Sequence, residues 1–167
     1  LIQQIDTMSK IAEAFSSFAK MPAQSLELLD FAKVIEHSLD IFPDSNITFL
    51  KPDKEFKMEF DRDHLNRIVT NLLKNSIQSI PAGRDPEIKV KLFEDKKYLF
   101  IEVEDNGSGI EDSIKQKIFE PKFTTKTSGM GLGLPMVKNI IEIYNGKISF
   151  NTSSKNGTVF KISFPKK

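Results

Sequence analysis

The alternation of apolar and polar residues in the second half of the chain most strongly constrains its fold. Ile88, Val90 and Leu92 alternate with two lysines, and the same period of two recurs at 98–104 and 158–164. Because successive side chains of a strand point to opposite faces, one face of the predicted sheet is buried and the other is wet. A doubly wound parallel sheet would need near-continuous apolar strands. We therefore predict an α+β two-layer sandwich, with a mixed, mostly antiparallel sheet and helices on one face.

Apolar periodicity and helix-breaking residues place the other elements. The predicted helices are 26–41, 62–80, 112–119 and 134–144. The predicted strands are 47–50, 56–60, 88–93, 98–104, 147–151 and 158–164. The order of these elements indicates one domain that follows an N-terminal appendage.

That appendage is an amphipathic segment that ends at Met21-Pro22, where proline would stop a helix. Its apolar residues follow the spacing of a coiled-coil seam: Leu1, Ile5, Met8, Ala12, Phe15 and Ala19. Two and a half heptads leave both an ordinary amphipathic helix and a bundle or dimer seam open. Because the first residue is not Met, we expect a piece of a longer protein, whose other parts could be membrane-bound.

Charge and composition exclude several classes of function. The 24 Lys and Arg residues nearly balance the 23 Asp and Glu residues, so no global field favours nucleic acid as a partner. The absence of cysteine excludes disulfides and thiolate metal sites, and His37 and His64 are too few for a metal cluster. A metal ion, if bound, is expected to be a hard ion held by oxygen. No apolar run reaches membrane-spanning length.

Two polar groups are predicted to point into the apolar side of the sheet. Asp105 follows Val103 by two positions, and Thr158 shares its strand face with Phe160. A buried carboxylate is costly unless a donor satisfies it. The stretch DNGSGI at 105–110 is also compatible with a plain Asp-Asn-Gly turn. Together, however, the acid and the hydroxyl favour a planar guest with an exocyclic amine, such as adenine.

A pair of asparagines borders the apolar stripe of the predicted helix at 62–80. Asn71 and Asn75 are four residues apart and therefore lie one above the other. They are compatible with simple solvation, but a carboxamide oxygen is also a neutral ligand for a magnesium ion that holds phosphates.

The stretch TTKTSGMGLGLPM at 124–136 places three alternate glycines before a predicted helix. Free backbone N–H groups at a helix start bind anions, and glycine lets phosphate oxygens approach closely. Lys126 adds a positive charge. No GxxxxGK[ST] loop is present, so the nucleotide is not expected to bind in the Walker manner.

Several motifs in order resemble those of sensor histidine kinases, within the superfamily that includes gyrase and MutL. NLLKNSIQSI, DNGSGI, FEPKFTTK, GMGLGL and NGTVFKISFP are similar to the N box, first glycine box, F box, second glycine box and closing Gly-Thr of that family. The resemblance covers roughly residues 31–166. The short lid between 119 and 133 and the letters FAKMP are similar to kinases of the nitrogen-regulation type.

This resemblance implies the Bergerat ATP-binding fold with ATP and Mg²⁺ as cofactors. It implies Asp105 on the adenine amine with Thr158 beside it, Asn75 as the metal ligand, and Asn71 and Lys126 as catalytic residues near the phosphates. The full nucleotide site that it implies is Asn71, Asn75, Ser79, Asp105, Gly107, Gly109, Ile110, Thr125, Lys126, Gly129, Gly131, Leu132, Gly133, Leu134 and Thr158. Lys122, Met130 and Pro135 depart from residues that are frequent in the family, without removing a ligand.

The resemblance also divides the chain. It implies that 1–22 is the second helix of a dimerisation and phosphotransfer domain, and that 23–167 is the catalytic ATP-binding domain. Neither His37 nor His64 lies in the family's phosphoacceptor motif, so the fragment is expected to bind ATP without phosphorylating itself. The implied partners are a phosphoacceptor histidine helix, a response regulator receiver domain and a second copy through the N-terminal helix. The implied compartment is the bacterial cytoplasm, with an inner-membrane anchor elsewhere in the protein left open.

Two other functions are alternatives to a kinase domain. An ATP-hydrolysing clamp of the gyrase or MutL type generally places a glutamate base four residues before the metal asparagine, where this chain has Asn71, which cannot take a proton from water. A non-catalytic dimerisation scaffold would have lost nucleotide binding, which the intact ligand set argues against.

Overall fold

One five-stranded sheet, covered by helices on a single face, makes up most of the protein in the computed structural model. The structure describes residues 24–121 and 131–166, together with Ala12 and Ser16, which are both helical and exposed. The elements in chain order are β1 (Leu26–Asp30), α1 (Phe31–Leu39), β2 (Ile47–Leu50), β3 (Lys57–Asp61), α2 (Arg62–Ser79), β4 (Ile88–Glu94), β5 (Tyr98–Asp105), α3 (Gly133–Ile143), β6 (Lys147–Ser153) and β7 (Gly157–Pro165).

The strand order of the large sheet is β2-β4-β5-β7-β6. β2 runs parallel to β4, and every other neighbouring pair is antiparallel. A separate two-stranded antiparallel sheet pairs β1 with β3. The mixed, mostly antiparallel sheet predicted from the sequence is therefore confirmed. Its register brings Asp105 of β5 opposite Thr158 of β7.

The two faces of the large sheet differ as the alternation predicted. On the inner face Val90, Ile101 and Ile162 are fully buried beneath the helices. On the outer face Lys91 of β4 contacts Glu104 of β5 at 2.9 Å, diagonally across the two strands. Helix α2 supplies most of the opposing layer through residues that are 0% exposed: Leu65, Ile68, Val69, Leu72 and Leu73. Each such side chain contributes about 1.5–3 kcal/mol through burial, so this layer fixes the orientation of α2.

Two predicted elements were wrong. The helix predicted at 26–41 begins only at Phe31, because Leu26–Asp30 pairs with β3 and Asp30 caps α1 by accepting from the Ala32 N–H at 3.1 Å. The short helix predicted at 112–119 is a series of turns, with hydrogen bonds such as Lys117 N–H to the Ile114 carbonyl. A segment this short is below the length at which a helix supports itself. The other elements agree with the predicted ones to within about two residues.

The predicted N-terminal helix and its coiled-coil seam lie outside the described residues, except for Ala12 and Ser16. In the part of the chain that is described, no helix combines the length and apolarity needed to cross a membrane. The division of the chain at residue 22 therefore stays a prediction.

A buried polar cluster ties the start of α2 to the end of α3. Asp61 caps α2 by accepting from the N–H groups of Asp63 (2.9 Å) and His64 (3.1 Å), and its second oxygen accepts from the Ser25 N–H at 2.7 Å. The Tyr144 hydroxyl lies 2.8 Å from His64 Nδ1. His64 is 2% exposed, and within the described residues its Nε2 has no hydrogen-bond partner. The imidazole is therefore held in a site poorly suited to a positive charge.

We expect His64 to make stability depend on pH. Burial lowers the pKa of His64, and the Arg67 charge adds to this, although Asp61 and Asp63 oppose it. Unfolded histidine titrates near 6.5, so below that pH the unfolded chain binds a proton that the folded chain does not. The melting temperature should fall by several degrees between pH 7 and pH 5, as followed by circular dichroism.

His64→Gln should flatten this pH dependence, whereas His37→Gln, at the exposed second histidine, should retain it. Burial raises the pKa of Asp61, but its three N–H donors outweigh burial and the net pKa is lowered. The stability that the Asp61 cap contributes should therefore be lost in both variants as the pH falls below about 4, the range in which an unfolded carboxylate takes up its proton. Equal slopes between pH 7 and pH 5 in wild type and His64→Gln would contradict the assignment.

Candidate nucleotide-binding site

The Asp105 carboxylate is buried at the carboxyl end of β5, where it is 3% exposed. Its Oδ1 accepts hydrogen bonds from the Gly107 N–H (2.9 Å), the Ser79 hydroxyl (3.1 Å) and the Thr158 N–H (3.3 Å). All three groups lie within hydrogen-bond distance of the same oxygen, and the single hydrogen of the Ser79 hydroxyl is shared between that oxygen and the Ser76 carbonyl, which lies 2.7 Å away. They satisfy the desolvated charge and leave Oδ2 as the oxygen that can accept from a ligand. The predicted inward direction of Asp105 is confirmed.

The backbone packs closely around this carboxylate, with glycines at the contact points. A Cβ at Gly107 would lie 1.9 Å from Ser79 Oγ. A Cβ at Gly157 would lie 2.0 Å from the Asp105 carbonyl oxygen, and the φ of Gly157 is +76°. The two glycines let β5, β7 and the end of α2 meet at one point.

A second set of hydrogen bonds holds the residues that follow. The Ile110 N–H donates to Thr152 Oγ1 at 2.9 Å, and that hydroxyl lies 3.0 Å from the hydroxyl of Thr158. Gly109 has a φ of +76°, and a Cβ there would lie 2.5 Å from the Ser153 carbonyl. The structure thus brings Gly109, Ile110 and Thr158 to the same end of the sheet as Asp105.

One face of α2 connects this end of the sheet to the start of α3. Asn71, Asn75 and Ser79 are spaced by four residues and are all half-buried. Because an α-helix rises 1.5 Å per residue, the row is about 12 Å long. Ser79 contacts Asp105 at one end. At the other end, a Cβ on Gly133 would lie 2.9 Å from Asn71 Oδ1.

The carboxamide of Asn71 has a defined orientation. Its Nδ2 donates to the Arg67 carbonyl at 2.8 Å, one turn earlier in the helix. The amide nitrogen is therefore used within α2, and Oδ1 is the atom that faces Gly133. A neutral oxygen in this position suits a hard cation with its phosphates and, unlike a carboxylate, cannot act as a general base at neutral pH.

The N-terminus of α3 lacks a side-chain cap. The residue at the cap position is Leu132, which is 6% exposed and cannot accept a hydrogen bond through its side chain. Gly133 and Leu134 open the helix, and Pro135 follows in its first turn. Gly131 immediately before has a φ of +65°. The first N–H groups of a helix have no partner within it and, with the helix dipole, they favour an anion.

Three of the predicted site residues lie outside the described residues: Thr125, Lys126 and Gly129. Lys122 and Met130 do as well. Their predicted roles at the phosphates stay predictions. The described residues nevertheless fit a nucleotide with a metal ion. A carboxylate oxygen faces one end of the α2 row, two carboxamide side chains lie along it, and a helix start without a side-chain cap lies at the other end.

Sequence reasoning missed two side chains that support this site. Thr152 joins Ile110 to Thr158, and Arg84 donates from the α2–β4 loop to the backbone beside Asp105. Thr152 could have been found from its alternation with Ile148 and Phe150, which places it on the inner face of β6. Arg84 lies in an exposed loop between two prolines and gave no periodic signal.

Comparison with known proteins agrees with this geometry. Residues 60–167 match the family described as histidine kinase-, DNA gyrase B-, and HSP90-like ATPase. Sporulation kinase A of Bacillus subtilis (strain 168) is 41% identical over 107 residues, which cover 64% of this chain and 17% of that protein. Sporulation kinase B of the same organism is 30% identical over 170 residues, covering 99% of this chain and 40% of that protein.

A solved structure is similar as well. The nucleotide-free catalytic domain of histidine kinase ThkA superposes with a TM-score of 0.76 at 29% identity, covering 86% of this chain and 97% of that domain. By contrast, this chain spans less than half the length of the two sporulation kinases. The similarity therefore concerns one domain of larger proteins.

Proposed function

Because this chain belongs to the family of histidine kinase-, DNA gyrase B- and HSP90-like ATPases, we propose that it binds Mg-ATP as the catalytic domain of a sensor histidine kinase. Its reaction is the donation of the γ-phosphate to a histidine on a helix of the full-length protein. The observation that carries this proposal is the buried Asp105 carboxylate, joined by one face of α2 to the uncapped start of α3.

Each part of the site takes one part of the nucleotide. Asp105 Oδ2 accepts from the exocyclic amine of adenine, and Thr158 lies beside the base. Asn75 would hold Mg²⁺, and the ion would supply positive charge to neutralise the phosphates. The N–H groups at the start of α3 and the side chain of Lys126 hold the phosphates. This arrangement orients the nucleotide and balances its charge, which is the main requirement of phosphoryl transfer.

Asn71 favours transfer to another group over hydrolysis. It lies one turn before Asn75, and its carboxamide cannot remove a proton from water. A hydrolysing clamp would need a base at this point, so we place the chain with the kinases of its family. The proposed partners are the phosphoacceptor helix, a response regulator receiver domain and a second copy that pairs through residues 1–22. The proposed compartment is the cytoplasm.

Removing the proposed metal ligand should make nucleotide binding insensitive to magnesium. In calorimetry, wild-type protein should bind ATP about tenfold more tightly with Mg²⁺ than with EDTA, which is the effect of one good charge-assisted contact. Asn75→Ala should lose most of that difference. Asn151→Ala, the same substitution on the exposed side of β6, should keep it. An unchanged magnesium effect in Asn75→Ala would remove this residue from the metal site.

Transfer can be tested with ATP labelled at the γ-phosphate. The chain is mixed with a dimeric helical domain from a related kinase that carries the phosphoacceptor histidine. We expect acid-labile label on the added domain and none on this chain. Label on this chain, or steady release of inorganic phosphate without transfer, would contradict the proposal. The second outcome would favour the hydrolysing clamp instead.

A further inference from the structure

An arginine outside the predicted site contacts the backbone beside the adenine end. Arg84 lies in the exposed loop between α2 and β4. Its Nη1 donates to the Asn106 carbonyl at 2.6 Å and to the Gly107 carbonyl at 3.1 Å. A single guanidinium nitrogen therefore uses both of its hydrogens on two consecutive peptide groups.

The first of these peptide groups, between Asn106 and Gly107, is hydrogen-bonded directly to Asp105. A peptide unit is planar and trans, so the Asn106 carbonyl and the Gly107 N–H point in opposite directions within one plane and move together. The carbonyl accepts from Arg84, and the N–H donates to Asp105 Oδ1 at 2.9 Å. The guanidinium thus fixes the plane of this peptide and polarises its N–H toward the carboxylate.

The second peptide group, between Gly107 and Ser108, is connected to the same carboxylate through Ser79. The Gly107 carbonyl accepts from Arg84, and the Ser108 N–H of the same unit donates to the Ser79 carbonyl at 3.0 Å. The Ser79 hydroxyl in turn contacts Asp105 Oδ1 at 3.1 Å. Two of the three donors to Asp105 are therefore linked to one arginine.

The loop that carries Arg84 is fastened to the same turn. The Asn106 side chain accepts from the Glu87 N–H at 2.9 Å and donates to the Asp85 carbonyl at 2.9 Å. The Asn106 N–H also donates to the Glu87 carbonyl at 3.2 Å. Residues 84–87 and 105–108 consequently form one hydrogen-bonded unit, so Arg84 approaches the two carbonyls from a fixed position.

We propose that Arg84 is a positioning residue for the carboxylate that recognises adenine. It acts through the peptide between Asn106 and Gly107, whose N–H holds Oδ1 of the carboxylate and so leaves Oδ2 turned toward the ligand. This inference rests on the proposed function, since it assigns a residue to the same nucleotide site.

The test compares two nucleotides that differ only in the amine. ATP and purine riboside 5′-triphosphate, which lacks the 6-amino group, are titrated into wild type and Arg84→Met by calorimetry. We expect Arg84→Met to weaken ATP binding about tenfold, as for a lost hydrogen bond to a charged group, and to leave the amine-free nucleotide within about twofold. Arg62→Met removes another exposed arginine, paired with Glu27, and should change neither affinity.

A double-mutant cycle between Arg84 and Asp105 provides a second test of the inference. If Arg84 acts through Asp105, then Arg84→Met should add little to the loss of ATP affinity already caused by Asp105→Asn. Equal weakening of both nucleotides by Arg84→Met, or full additivity with Asp105→Asn, would overturn the inference and leave Arg84 as a loop-stabilising residue. Wild-type protein that fails to bind ATP at all would instead overturn the proposed function.

Discussion

Replacing Asp105 by asparagine is expected to weaken ATP binding by about 100-fold, as measured by calorimetry in the presence of Mg²⁺. Oδ1 of the Asp105 carboxylate lies within hydrogen-bond distance of donor groups from Gly107, Ser79 and Thr158. The carboxamide oxygen of the variant must face them, because its amide hydrogens would otherwise point at other hydrogens. The NH₂ group is then turned toward the nucleotide. A donor therefore meets the exocyclic amine of adenine, which is also a donor, and the contact is lost completely.

The neighbouring acid on the same strand provides the matched control. Glu104 is on the opposite face of β5, where its carboxylate pairs with Lys91 at 2.9 Å. Glu104→Gln makes the same chemical change on the solvent side and should leave ATP affinity within about twofold, as is usual for an exposed ion pair. Unchanged affinity in Asp105→Asn would favour the non-catalytic scaffold, since the acid would then have no ligand.

Gly157→Ala is expected to destabilise the domain by about 2–5 kcal/mol, as measured by urea unfolding. About 1–2 kcal/mol comes from placing an L side chain at a φ of +76°. Overpacking adds a further 1–3 kcal/mol or so, because the new Cβ would lie 2.0 Å from the Asp105 carbonyl oxygen and 2.7 Å from the Gly107 nitrogen. Both contacts are with backbone, so neither can be relieved by a rotamer change. The backbone at the end of β5 would have to move to remove these two contacts, and that movement should weaken ATP binding as well.

Gly83→Ala is a control that separates the cost of a positive φ from the cost of overpacking. Gly83 also has a positive φ, of +84°, but nothing lies within 4 Å of the added Cβ. It should therefore lose only about 1–2 kcal/mol and retain ATP affinity. If Gly157→Ala and Gly83→Ala were equally stable, then the close approach of β7 to Asp105 would not constrain the site.

The sequence was sufficient to predict the sheet because alternation is a local property. Ile88, Val90 and Leu92 reveal their buried face without knowledge of any partner strand. β1 was missed for the opposite reason, since Leu26 and Leu28 are exposed on a strand that exists only through pairing with β3, about thirty residues later. Tertiary pairing overrode a segment that also reads as helical, although the Asp30 cap was a usable signal for the true helix start.

The site residues also divide into those with a local sequence signal and those that depend on distant contacts. Asp105 and Thr158 were found because each interrupts an apolar face, and Asn71 and Asn75 because they are aligned on one helix. Arg84 acts on carbonyl groups twenty-two and twenty-three residues away, and no pattern in a single sequence indicates such a contact. The roles predicted for Lys126 and the other residues of 122–130 rest on the family motifs.

The most direct test of the central claim is a calorimetric titration of the wild-type chain with ATP and, separately, with GTP, both with Mg²⁺. One ATP should bind per chain, and GTP, whose 6-oxo group offers Asp105 an acceptor in place of a donor, should bind at least tenfold more weakly. No heat of binding with ATP, or equal affinity for the two nucleotides, would show that the buried Asp105 carboxylate does not recognise adenine.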